Sequence, residues 1–141
     1  MITFDVMSTD GLGDLRLGMP LADVRATGEV TLVPHLPDAA CDGLVVDRWG
    51  RLENEVDGYV SVKHGLAAIF ARSSATTTPQ GIHIGSTLAE LRAAYPTLSD
   101  DGNGGFRYAD PAHPERGFSF TVQGKVVTSW FVAIDTQDCF D

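Results

Sequence analysis

The sequence predicts an α+β domain built from two copies of a strand–loop–short helix–β-hairpin unit, with the two helices packed on an antiparallel sheet. Three observations carry that prediction: a stretch that repeats itself, a helix-start signal inside each copy, and a strand–turn–strand pattern after each helix. Leu15–Gly28 lies over Ile82–Tyr95, 67 positions later, with five of fourteen positions identical. The identities are Gly18/Gly85, Leu21/Leu88, Ala22/Ala89, Arg25/Arg92 and Ala26/Ala93; Leu15/Ile82, Leu17/Ile84, Asp23/Glu90 and Val24/Leu91 are conservative. Self-similarity of this kind marks a repeated supersecondary unit. One domain spans 1–141, with the copies at about 1–72 and 76–141.

Each copy opens with two apolar residues spaced by two (Leu15 and Leu17, Ile82 and Ile84), the pattern of a short extended segment with one buried face. Gly18 and Gly85 break the extension. Thr87-Leu-Ala-Glu90 then has the form of a capping box, with Ser86 a competing cap. In the first copy Pro20 and Asp23 hold the matching places, and a proline suits a helix start because its missing N–H is not needed there. Leu21 with Val24, and Leu88 with Leu91 and Tyr95, give narrow apolar stripes that end at Gly28 and Pro96. Helices of about two turns do not hold alone, so these must pack on a sheet. Tyr59–Lys63, His64-Gly65 and Leu66–Ala71 read as one hairpin; Phe118–Val122, Gln123-Gly124 and Val126–Ile134 read as another. The turn glycines are 59 apart, so the first copy carries about eight extra residues, placed in a loop over Val33–Cys41. Ser73–Pro79 joins the copies, whose strands are expected to merge into one sheet with both helices on one face.

Composition bounds the function. The chain of 141 residues is 43% hydrophobic and 21% charged, an ordinary globular balance. Nineteen acidic against ten basic residues give −9, which argues against a broad electrostatic grip on nucleic acid. No apolar run approaches the roughly 18 to 20 residues of a spanning helix, so no membrane span is expected. Eight Arg against two Lys, with abundant Ala and Gly, is the composition of a GC-rich genome such as an actinobacterial one.

Cys41 and Cys139 have no Cys or His neighbours at metal-ligand spacing. Either they form a disulfide tying the C-terminal tail to the loop after the first helix, or they are two unrelated buried thiols. A bond would place the protein in the secreted or cell-envelope compartment; without it the protein is cytoplasmic. The chain opens on Met1-Ile2-Thr3-Phe4-Asp5 without a signal segment, which leaves an intracellular protein or a leader removed ahead of Met1.

Leu15–Gly28, a pair of apolar residues followed by Gly-Met, a Val and a helix-ending Gly, resembles the repeat of the bacterial β-lactamase inhibitory proteins. It is also similar to small outer-membrane assembly lipoproteins with the same helix–sheet unit. The resemblance implies a tandem unit whose concave sheet and loops grip another protein. The second copy departs from it, with Ser86 where the family has Met. No inhibitory residue carries over.

No catalytic residue is expected, and no cofactor or metal. His35, His64, His83 and His113 lack ligand spacing, and no nucleophile, phosphate or dinucleotide motif is present. Asp100–Gly105 lacks the alternating donors and terminal Glu of a calcium loop. Five binding residues are expected. Trp49 and Arg51 sit in a charged turn, where an exposed Trp beside Arg is the makeup of a protein-binding hot spot; the alternative is a Trp folded back over the sheet edge. His113 lies in a polar connection between strands. Trp130 and Phe131 point to opposite faces, and whichever lies on the open face would be joined by Phe118, Phe120 and Tyr108 in an aromatic patch. The expected function is a protein-binding or inhibitory module whose partner is another protein, such as an extracellular enzyme. A small organic molecule in the concave sheet, bound or turned over, is the alternative, and an envelope lipoprotein is a third.

Overall fold

The computed structural model describes residues 5–33, 40–50, 56–135 and 139. The described elements run β1 (Asp5–Ser8), β2 (Gly11–Leu12), β3 (Leu15–Arg16), α1 (Leu21–Ala26), β4 (Val30–Val33) and β5 (Cys41–Val46). A 3₁₀ turn over Asp47–Trp49 leads to β6 (Gly58–Ser61), β7 (Gly65–Phe70) and β8 (Thr76–Thr77). Then come α2 (Leu88–Ala94), β9 (Ser99–Asp100), β10 (Gly105–Ala109), β11 (Arg116–Gln123) and β12 (Val126–Ile134). Eight strands form one antiparallel sheet in the order β4-β5-β6-β7-β12-β11-β10-β9. The other four form a smaller sheet, β3-β2-β1-β8, in which β1 and β8 run parallel. The fold is mixed α+β and mostly sheet.

Local chemistry explains the helix starts. The Thr87 hydroxyl accepts from the Glu90 amide at 3.1 Å while the Glu90 carboxylate accepts from the Thr87 amide at 2.9 Å, the reciprocal capping box. Such a cap contributes about 1 kcal/mol. Pro20 precedes α1 in an extended conformation and makes no side-chain cap bond. Both helices owe their stability to burial: Val24 and Leu91 are fully buried in the same core cluster as the sheet side chains.

Strand pairing sorts side chains onto two faces. Tyr108, Phe118, Val132, Ile69, Gly58, Leu44 and Leu32 are direct cross-strand partners in one row over seven strands. This row faces the core, where Tyr95 at the end of α2 lies 4.4 Å from Tyr108 and 5.9 Å from Phe120, ring centre to ring centre. One residue along, Ala109, Gly117, Ala133, Ala68, Tyr59, Gly43 and Val33 form the matching row on the second face.

Two fasteners hold the first half of the chain. Cys41 and Cys139 are joined in a disulfide, Cα to Cα 5.6 Å, closing a separation of 98 residues. A loop of that size is worth up to ~4.7 kcal/mol in the chain-entropy model. Asp57, only 3% exposed, accepts from the Val46 amide at 2.8 Å and from Nε and Nη2 of Arg72 at 2.6 to 2.9 Å. A buried carboxylate persists because each lone pair is taken.

The structure departs from the sequence expectations in four places. Ile82 and Ile84 lie in a connection without strand pairing, where Thr78 holds Ile82 through 2.9 and 3.1 Å bonds. Ser73–Pro79 is more than a linker, since β8 within it pairs with β1. The strands do not all merge into one sheet, because β1, β2, β3 and β8 stand apart. Most of the expected Val33–Cys41 loop lies outside the described residues, and both its ends belong to strands β4 and β5.

Candidate binding face

The four expected binding residues that are described, Trp49, Tyr108, His113 and Trp130, do not converge on one surface. Trp130 is 1% exposed and belongs to the core, against Phe118 at 5.5 Å and Phe120 at 5.9 Å between ring centres. The expected open aromatic patch is therefore corrected: Phe118, Phe120 and Tyr108 share the core face with Trp130, and Phe131 takes the other. Register decides this, because Phe120 pairs with Trp130 and Ser119 pairs with Phe131. Trp49 is folded back at the end of β5, half-buried, donating its indole N–H to Asp5 at 2.7 Å. Arg72 lies 6.0 Å from its ring centre and donates to the carbonyls of Trp49 and Gly50. Arg48 beside it pairs with Asp5 at 3.0 Å and Glu29 at 3.2 Å. Trp49 thus fastens the sheet end to β1. Arg51 lies outside the described residues.

His113 is exposed in the turn between β10 and β11, its ring 3.6 Å from Glu115. Beside it the Thr9 hydroxyl donates to Asp110, which holds that carboxyl below its ordinary range with help from the Ala112 amide.

The second face buries Gly43, Ala68, Gly117 and Ala133 and carries exposed side chains at the β9–β12 end. Its β9–β12 end carries short polar groups: Ser99, Arg107, Ser119 and Phe131 form one cross-strand row, and Gly105, Thr121 and Ser129 the next. Gly117 lets Arg107 lie flat there, for a Cβ at 117 would meet the Tyr108 carbonyl and come 3.2 Å from the guanidinium. Arg107 also pairs with Asp135, and both are partly exposed, so the pair is worth only ~0–1 kcal/mol. A depression of about 410 Å³ opens there, lined by Ser99, Asp101, Arg107, Ser119, Phe120 and Thr121. Toward β6 the face becomes aromatic, with Tyr59, Phe70 and Phe131 edge to face at 5.8 and 5.3 Å. The disulfide shares this face, since Cys41 alternates with Gly43 along β5. Sequence reasoning passed over Arg107, Ser119 and Thr121, although the alternation Phe118-Ser119-Phe120-Thr121 already separates them from the core.

The face can bind through hydroxyls, a guanidinium and a fixed carboxylate. Asp101 accepts from the Asn103 amide at 2.7 Å and the Gly105 amide at 2.9 Å, which lowers its pKa and keeps it anionic. Elsewhere, burial pushes the Tyr95 hydroxyl up to about 12, and the Thr87 amide and hydroxyl draw Glu90 down. Every shifted group among the described residues has moved away from neutral pH.

No family model matches the chain, and no curated protein matches it. Among solved structures it is similar to the uncharacterized protein yfeY from Escherichia coli, at 13% identity and a TM-score of 0.55. That alignment covers 92% of this chain and 99% of the other. At such identity the likeness shows the fold alone.

Proposed function

We propose that this protein is a binding module whose partner, another protein, docks on the second face of the eight-stranded sheet and the loops beside it. One observation carries the reading: at the β9–β12 end of that face the exposed Thr121 and Ser129 and the partly exposed Arg107 and Ser119 gather around the depression. Occlusion of an extracellular enzyme, in the manner of the β-lactamase inhibitory proteins, is the specific form we favour. The Cys41–Cys139 bond fits an oxidising compartment, and with it secretion or the cell envelope.

We also read the chain as a tandem duplication. In support, the Gly18 amide donates to Leu66 and the Leu66 amide to Met19, at 2.8 and 2.9 Å. Gly85, Val127 and Ser86 repeat the pattern, both bonds at 2.8 Å. A helix followed by four antiparallel strands occurs in each half, in opposite order across the sheet.

The test is capture from secreted and envelope fractions on immobilised protein, run beside Thr121→Arg and, as a control, Ala26→Arg on the exposed flank of α1. A stoichiometric protein held by the native chain and by Ala26→Arg, but lost on Thr121→Arg, supports the reading. Equal retention by all three, or no retained protein, overturns it. A small molecule recovered instead would favour the second reading, a ligand in the 410 Å³ depression.

A further inference from the structure

We propose that the groove between α2 and the turn joining β11 to β12 binds a small amphipathic carboxylate. Its apolar chain lies on Leu88, Ala89 and Val126, and its carboxylate sits between Arg92 and Lys125. The groove measures about 520 Å³, and those five residues line it with Thr87 and Gly124. That volume is in the range of small-ligand sites, roughly 300–1,000 Å³. In a chain of ten basic and nineteen acidic residues, an apolar crevice whose charged lining residues are both cations is a local inversion of sign.

Neither cation is committed to the fold. Lys125 makes no ion pair among the described residues, and Arg92 meets Asp100 only at 3.7 Å with both side chains about half exposed. The Arg92 guanidinium also lies 5.2 Å from the Phe106 ring centre, which gives it a fixed platform. Glu90, the nearest acid on the helix, spends its carboxylate on the Thr87 amide. The helix-start amides of Thr87 and Glu90 are satisfied by the capping box, so the side chains, not the helix end, provide the anion site.

The helix part of the set recurs in the first half. Leu21, Ala22 and Arg25 occupy the places of Leu88, Ala89 and Arg92, while the backbone bonds that match Leu66 to Val127 put His64 and Gly65 in the places of Lys125 and Val126. Ala22, Arg25, Ala89 and Arg92 are exposed, so core packing does not require them. The net charge of −9 selects against polyanions and acidic protein surfaces, whereas a single carboxylate meets little of that repulsion.

Titrating the full ¹⁵N-labelled chain with decanoate, and separately with decanol, both below micelle formation, tests this. Saturable amide shifts at Leu88, Ala89, Lys125 and Val126 are expected with decanoate, and about tenfold weaker binding with decanol. Arg92→Gln with Lys125→Gln should weaken decanoate by about tenfold or more while the rest of the spectrum stays in place. A second saturable set at Leu21, Ala22 and His64 would extend the site to the first half. Equal binding of decanol, an unchanged double variant, or scattered shifts that do not saturate would overturn the proposal. None of these readouts depends on a protein partner, so they stand or fall apart from the second-face reading.

Discussion

The two faces of the eight-stranded sheet share one backbone and differ by a single step along each strand. On the core side the seven-strand row holds Tyr108, Phe118, Val132, Ile69, Gly58, Leu44 and Leu32; on the other it holds Ala109, Gly117, Ala133, Ala68, Tyr59, Gly43 and Val33. The bulky row buries apolar area at roughly 25 cal/mol per Å², and that is where stability is concentrated. The short row leaves room for Arg107 to lie flat and for hydroxyls to reach solvent. Under the proposed binding reading, stability and recognition are segregated by strand alternation, so substitutions on the two faces should have opposite signatures.

The largest effect is expected on the core row. Phe118→Ala should cost about 3–5 kcal/mol in urea unfolding; a loss below about 1 kcal/mol would break the contrast between the faces. Asp57→Ala comes next, at roughly 3 kcal/mol, because it strands the Arg72 guanidinium against a mostly buried surface. The double change Asp57→Ala with Arg72→Met should recover part of that loss. Reducing the disulfide, which sits on the second face, should lower stability by about 2–4 kcal/mol in a thermal melt with and without reductant.

A pH experiment sharpens the core side. Below pH 10 Tyr95 is protonated whether folded or not. Between about 10 and about 12 the unfolded chain ionises it while the folded chain keeps it neutral, so stability falls as pH rises through that window. Tyr95→Phe should remove this dependence, at a baseline cost of about 1 kcal/mol for the lost 2.6 Å bond to Gln80. The smallest effect belongs to the second face. Thr121→Arg should change stability by no more than about 0.5 kcal/mol while abolishing partner capture.

Much of the local architecture was legible before the structure. The Thr87–Glu90 box, the starts of both helices, the hairpins around Gly65 and Gly124, and the pairing of Cys41 with Cys139 all appear as read. The site was not. Trp49 has the flanking charges of an exposed hot spot, yet its indole N–H is held by Asp5, 44 residues away. Trp130 and Phe131 were assigned correctly to opposite faces, but no local signal says which face is the inner one.

What the sequence determined alone were features whose constraints act within a few residues: a cap needs its acceptor three positions on, and the tight turn between β11 and β12 needs Gly124 at φ +60. The tertiary structure decided which face was buried, where β12 found its neighbour, and which charges were spent on folding. Those outcomes follow from burial summed over strands far apart in sequence, and a free energy distributed that way leaves no mark on any single segment.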